Sequence, residues 1–117
     1  MKHEPANTET LREWCSILRK HCAPLLPVVV RRRRLADDEP AYTKLRYDEH
    51  DSPSHFLIVL DPRMTRYEAQ ITLCHEWAHC LDWTEGTAGD LCKDHPASYW
   101  LRHGTVYDAL VGGEHGG

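Results

Sequence analysis

His75, Glu76 and His79 offer the clearest chemistry in this sequence: they stand in the order His-Glu-Trp-Ala-His, two imidazoles four residues apart with a carboxylate directly after the first. On an α-helix, residues four apart are separated by about 40° around the axis and about 6 Å along it, so both imidazoles leave one face and can share one metal ion. That donor pair points to Zn²⁺. The Glu76 carboxylate is then placed to act on a water that such an ion activates, taking its proton and passing it to a leaving amine.

A catalytic zinc takes three protein ligands and keeps a fourth position for water. The third ligand is expected at His95, after a loop long enough to reverse the chain. The other donors within reach are His103, Asp82, Asp90, Asp94 and Cys92. Asp82 and Asp94 are candidates to orient the imidazoles. Tyr107, Tyr99, Arg102 and His103 are candidates to donate to the oxyanion of a tetrahedral intermediate. Nine histidines raise the odds that such a pattern arises by accident, so its surroundings matter. From Thr65 to Trp83 there is neither Gly nor Pro, and Tyr67, Ile71, Cys74, Ala78 and Leu81 recur at steps of three and four. This predicts a helix over that span with a buried stripe beside the histidines.

The elements that must position this helix can be read from local patterns. Thr8 to His21 is expected to be helical, with Thr10 and Glu13 as a capping box and Leu11, Trp14, Cys15 and Leu18 as the apolar face. Pro24 and Pro27 stop it. Val28 to Leu35 reads as a strand whose Arg31–Arg34 run demands an edge or exit position, with Asp37, Asp38 and Glu39 as nearby compensation. Ala41 to Tyr47 alternates as a second strand, Asp48 to Pro53 as a turn, and His55 to Leu60 as a third strand, closed by Asp61-Pro62 and leading into the metal helix. Gly86 and Gly89 place a loop at Thr84 to Lys93. A return helix is predicted from Pro96 to about Leu110, with His95 near its N-cap. The glycine-rich stretch 112–117 is expected to be a flexible tail.

Length and charge bound what else the chain can be. Its 117 residues allow one small domain, in which a metal would supplement a limited core. The net charge of −4 does not describe a protein that coats nucleic acid, and no apolar run reaches the ~20 residues needed to span a membrane. Neither a signal peptide nor a transit peptide is evident, so a cytoplasmic location is expected. Five cysteines, Cys15, Cys22, Cys74, Cys80 and Cys92, include no CxxC pair and read as reduced core fillers rather than a disulfide framework. Trp77 and Trp83 read as core, and Trp100 as a further aromatic beside the site.

His75-Glu76-Trp77-Ala78-His79, followed by Asp94-His95-Pro96-Ala97-Ser98-Tyr99-Trp100, resembles the pattern of SprT-like zinc metallopeptidases, in particular small phage- and prophage-encoded members. The resemblance covers roughly Phe56 to Leu110. It includes the cadence of Glu68 to His79 and a tyrosine matching Tyr107, which closes the second helix. It implies a minimal zincin-like α+β fold: an N-terminal helix, a small three-stranded, mostly antiparallel sheet, the metal helix and a return helix, with the metal-site core at about 55–110. It also implies Zn²⁺ on His75, His79 and His95, Glu76 as catalytic base and Tyr107 as oxyanion donor. Protein or peptide would be the substrate, and a host cytoplasm the location for a phage-encoded chain. Neither a zinc ribbon nor a DNA-binding extension of the kind found in larger relatives is evident in these 117 residues.

Metzincins fit less well, because Asp82 and Glu85 stand where they would want Gly and His. Gly104-Thr105-Val106-Tyr107-Asp108 resembles the GTxxD of aspzincins and would nominate Asp108 as third ligand. A gluzincin arrangement has only Glu114 downstream. Two other readings stand beside the peptidase: a non-catalytic zinc-stabilised protein-interaction module, and a DNA-associated regulatory module using Arg31–Arg34, which keeps a nucleic-acid partner open. Oligomeric state is not legible in the sequence.

Overall fold

The computed structural model describes residues 7–83 and 97–112. In chain order these form helix α1 (Thr8–His21), strands β1 (Val28–Arg32), β2 (Ala41–Tyr47) and β3 (Pro53–Leu60), helix α2 (Arg66–Asp82) and helix α3 (Ala97–Tyr107), which runs on into a π-helical turn at Asp108–Gly112. The described residues make a small α+β domain of three helices and one three-stranded sheet.

The sheet order is β1-β3-β2, which puts the most apolar strand in the middle. Phe56, Ile58 and Leu60 of β3 are buried in the core on one face of the sheet, and Val59 is buried on the other, as a strand with neighbours on both edges allows. β2 pairs antiparallel to β3, with Thr43 opposite Ile58. β1 pairs parallel to it, from Val28 opposite Phe56 to Arg32 opposite Leu60. The sheet is therefore mixed rather than mostly antiparallel, because the chain passes from β1 to the far edge before returning through the centre. The β2–β3 turn is held by Asp48, whose side chain accepts from His50 N and Ser52 N, while Asp51 takes a left-handed φ of 59°.

β1 occupies an edge, as its arginines require, but stops at Arg32 instead of continuing to Leu35. One further ladder bond follows, from Arg33 N to Leu60 O. Of the acidic run after it, Asp37 is engaged by Arg63, accepting from it at 3.0 Å in a clasp built on the buried carboxylate of Asp61. That carboxylate accepts from Arg63 Nε (2.9 Å), Arg63 Nη2 (2.7 Å), Arg63 N (2.8 Å) and Leu35 N (2.9 Å). Arg63 Nη2 also donates to Leu35 O at 2.9 Å. The clasp ties the segment entering α2 to the segment leaving β1.

The Arg63 side chain above all, then the Leu35 and Arg63 amides, hold the Asp61 carboxyl well below the usual carboxylate range. A carboxyl with a depressed folded pKa contributes stability that is complete above its unfolded value near 4 and is lost as pH falls toward the folded value. Urea titrations at pH 6 and pH 3 are expected to show wild type losing more stability on acidification than Asp61→Asn. Equal acid sensitivity of the two would remove the clasp from the account.

α1 spans the expected residues and buries Leu11, Trp14, Cys15 and Leu18. Its cap is not the expected box from Thr10 to Glu13. Asn7 accepts from Thr10 N at 2.8 Å, one turn earlier, and Thr10 itself is buried; asparagine is among the strongest N-caps. α2 has the box that the first helix lacks: Thr65 Oγ1 accepts from Glu68 N at 3.2 Å, and Glu68 Oε1 accepts from Thr65 N at 3.1 Å.

The buried face of α2 also differs from the expected stripe. Cys74 and Ala78 are buried, but Tyr67 is exposed and Ile71 and Leu81 are only half-buried. The covered residues are Ala69, Gln70, Leu73, Cys74, Glu76, Trp77, Ala78 and Cys80. The cause is that α2 is covered from more than one side, packing on β2 and β3 and on α3 with its π turn. The turn carries Leu110 and Val111 into the core, close to where the return helix was expected to end. Cys15, Cys22, Cys74 and Cys80 are buried free thiols, with burial pushing Cys74 up to about 12, so they fill space as expected. Cys92, the Thr84 to Lys93 loop, Pro96 and the tail beyond Gly112 lie outside the described residues.

Candidate metal centre

The helical spacing of His75 and His79 brings their rings to 5.2 Å between centroids at 76°. One donor atom each from His75, Glu76 and His79 lies within 4.8 Å of the others, and among the described residues these three form the group able to hold a metal ion. Asp82, His103 and Asp108 do not join it. His95, Asp90, Asp94 and Cys92 lie outside the described residues.

Burial divides the three side chains by role. Both imidazoles are half-buried, whereas Glu76 is 8% exposed. Glu76 Oε2 lies 3.9 Å from His75 Nε2. Its other oxygen, Oε1, accepts from Thr43 Oγ1 of β2 at 3.0 Å. Loss of hydration raises the Glu76 pKa, and the Thr43 hydroxyl partly opposes that rise. A carboxylate whose pKa is lifted this way is a better proton acceptor at neutral pH than one in water.

Tyr99 of α3 forms the back of the site. It is fully buried, its ring centroid 4.6 Å from that of His79 and 5.6 Å from that of His75. Its hydroxyl donates to the backbone carbonyl of His75 at 3.0 Å. Burial first, then the charge of Glu76, raise its pKa above the ordinary phenol value, so at neutral pH it is a neutral donor. Tyr99 thus joins α3 to α2 at His75, a position its inclusion among oxyanion candidates did not anticipate.

Beyond Tyr99 the aromatic contacts continue along α3. His103 lies 6.1 Å from the Tyr99 ring and 5.6 Å from Trp100, and Tyr107 stacks on His103 at 6.3 Å. Tyr107 is 40% exposed, on the last turn of α3. Trp100 and Arg102 are exposed. Trp77 and Trp83 belong to the core, Trp83 edge-on to Phe56 at 5.6 Å.

Thr43 is the site residue that sequence reading missed. Its signal was faint but present: on the face of β2 that also carries Ala41 and Leu45 toward the core, Thr43 is the polar residue.

No family model, no curated protein and no solved structure matches this chain.

Proposed function

We propose that this protein is a zinc-dependent peptidase. The observation that carries the reading is the pairing of two half-exposed imidazoles on one helix face with a buried carboxylate whose Oε2 lies 3.9 Å from His75 Nε2, one donor atom from each of the three lying within 4.8 Å of the others. The donor set suits the ion, because two imidazole nitrogens within 4.8 Å of one another are zinc donors and both rings are only half-buried. His75 and His79 would hold the ion, with His95 proposed as the third ligand. When bound, zinc supplies Lewis-acid activation of a water and of the scissile carbonyl.

The protein's own side chains do the rest. Glu76 takes the proton of the attacking water on Oε2 and returns it to the departing amine. Tyr99 holds the His75 turn through its backbone carbonyl, and Tyr107 is the proposed donor to the oxyanion. The substrate is a protein or peptide. A cytoplasmic setting, and a phage or prophage origin, belong to the same proposal. No helix among the described residues is long and apolar enough to cross a membrane. A purely structural zinc site closes its coordination with four protein ligands; the half-exposed histidines and the buried, oriented carboxylate favour catalysis over a zinc-stapled binding module.

The reading is tested first at the metal. Dialysed wild type is expected to retain zinc in stoichiometric amount, and saturating zinc at about 100 times its dissociation constant to stabilise the fold by about 2.7 kcal/mol. His75→Ala and His79→Ala should each abolish both effects. Retention of zinc by the two variants would place the ion elsewhere and end the proposal.

A further inference from the structure

The carboxylate of Glu76 is held by a residue from a different layer of the fold. Thr43 lies at the middle of β2, 33 residues before Glu76, and its hydroxyl donates to Oε1 at 3.0 Å while Oε2 lies 3.9 Å from His75 Nε2. The two oxygens of one carboxylate are therefore divided, one tied to the sheet and one facing the imidazoles. A glutamate side chain on a helix has three soft torsions and several rotamers. One hydrogen bond to a β-branched residue, itself restricted at χ1 and fixed in a strand paired with central β3, selects among those rotamers.

We infer that Thr43 is a positioning residue for the reaction: its hydroxyl, anchored in β2, holds Oε1 of Glu76 and so presents Oε2 as the oxygen that accepts the proton. This rests on the peptidase reading above. The inference also accounts for a polar residue on a strand face that otherwise packs Ala41 and Leu45 against the core. An aliphatic side chain there would fill the same space and leave the buried carboxylate without its donor.

Two variants, compared with wild type, separate positioning from packing. Thr43→Val keeps the shape and the β-branch but removes the donor, and is expected to lower kcat about 10- to 100-fold with KM within about twofold, as misplacing a reacting group does. Thr43→Ser restores the hydroxyl and should recover activity to within about threefold of wild type. Zinc content should be the same in all three proteins. A second readout needs no catalysis: in metal-free protein, urea unfolding of Thr43→Val, Glu76→Ala and the double variant should show the two losses non-additive by at least about fivefold in the unfolding equilibrium constant.

Wild-type kcat in Thr43→Val, or strictly additive losses in the cycle, would overturn the role of Thr43 while leaving the peptidase reading intact. Zinc-loaded wild type that cleaves nothing would overturn the peptidase reading, and the role of Thr43 with it.

Discussion

Glu76→Gln is expected to leave zinc bound and the fold intact while lowering kcat for peptide hydrolysis by about 10²- to 10⁴-fold, the usual contribution of a positioned general base. The substitution is close to isosteric. The amide oxygen of glutamine can still accept the Thr43 hydroxyl, so the hydrogen bond at 3.0 Å and the packing around a residue only 8% exposed survive. What disappears is an oxygen basic enough to take a proton. Because the group acts on the transition state more than on the bound substrate, KM should move little. Steady-state kinetics on zinc-matched preparations of the two proteins give the answer. Equal kcat in both would show that Glu76 is a buried structural carboxylate and that the proton goes elsewhere.

Trp77→Ala is expected to have the largest effect on stability. Trp77 sits between the two histidines in sequence but about 200° from each around the helix, so it points into the core while they point out. It is fully buried, and its Nε1 donates to the carbonyl of Cys22, the residue capping the end of α1, at 2.8 Å. Truncating a buried tryptophan costs about 3–5 kcal/mol, and the Cys22 carbonyl left without its donor adds about 1–3 kcal/mol. Domains of this kind have about 5–15 kcal/mol in total. Urea unfolding of metal-free protein should therefore find the alanine variant near or beyond the limit of folding, and Trp77→Phe less affected because it keeps most of the buried surface. A loss below about 1 kcal/mol for the alanine variant would mean that the outward face of the histidines is not set by this ring.

Features determined by neighbouring residues were legible in the sequence. The limits of α1 and β2 follow from the three-to-four and alternating patterns of Leu11, Trp14, Cys15 and Leu18, and of Ala41 to Tyr47, bounded by prolines and turn formers. The helical setting of His75, Glu76 and His79 was legible for the same reason. Features determined by distant parts of the chain were not. The parallel pairing of β1 depends on which strand fills the centre of the sheet. The covered face of α2 depends on α3 and the sheet packing on it together, so Gln70 and Glu76 are buried where periodicity had favoured Tyr67 and Ile71. Asn7, not Thr10, caps α1. The contacts that organise the site, Thr43 on Glu76 and Tyr99 on the His75 carbonyl, span 33 and 24 residues. A local pattern cannot specify such pairs, though a polar residue on an inward strand face marks where to look.

The most direct test of the account is cleavage of an unfolded-protein substrate pool at neutral pH, followed through three states of one wild-type preparation: as purified, stripped with a chelator, and restored with stoichiometric Zn²⁺. The account predicts cleavage in the first state, none in the second and recovery in the third. Cleavage that persists in the stripped protein, or a zinc-loaded protein that leaves every substrate intact, would contradict it.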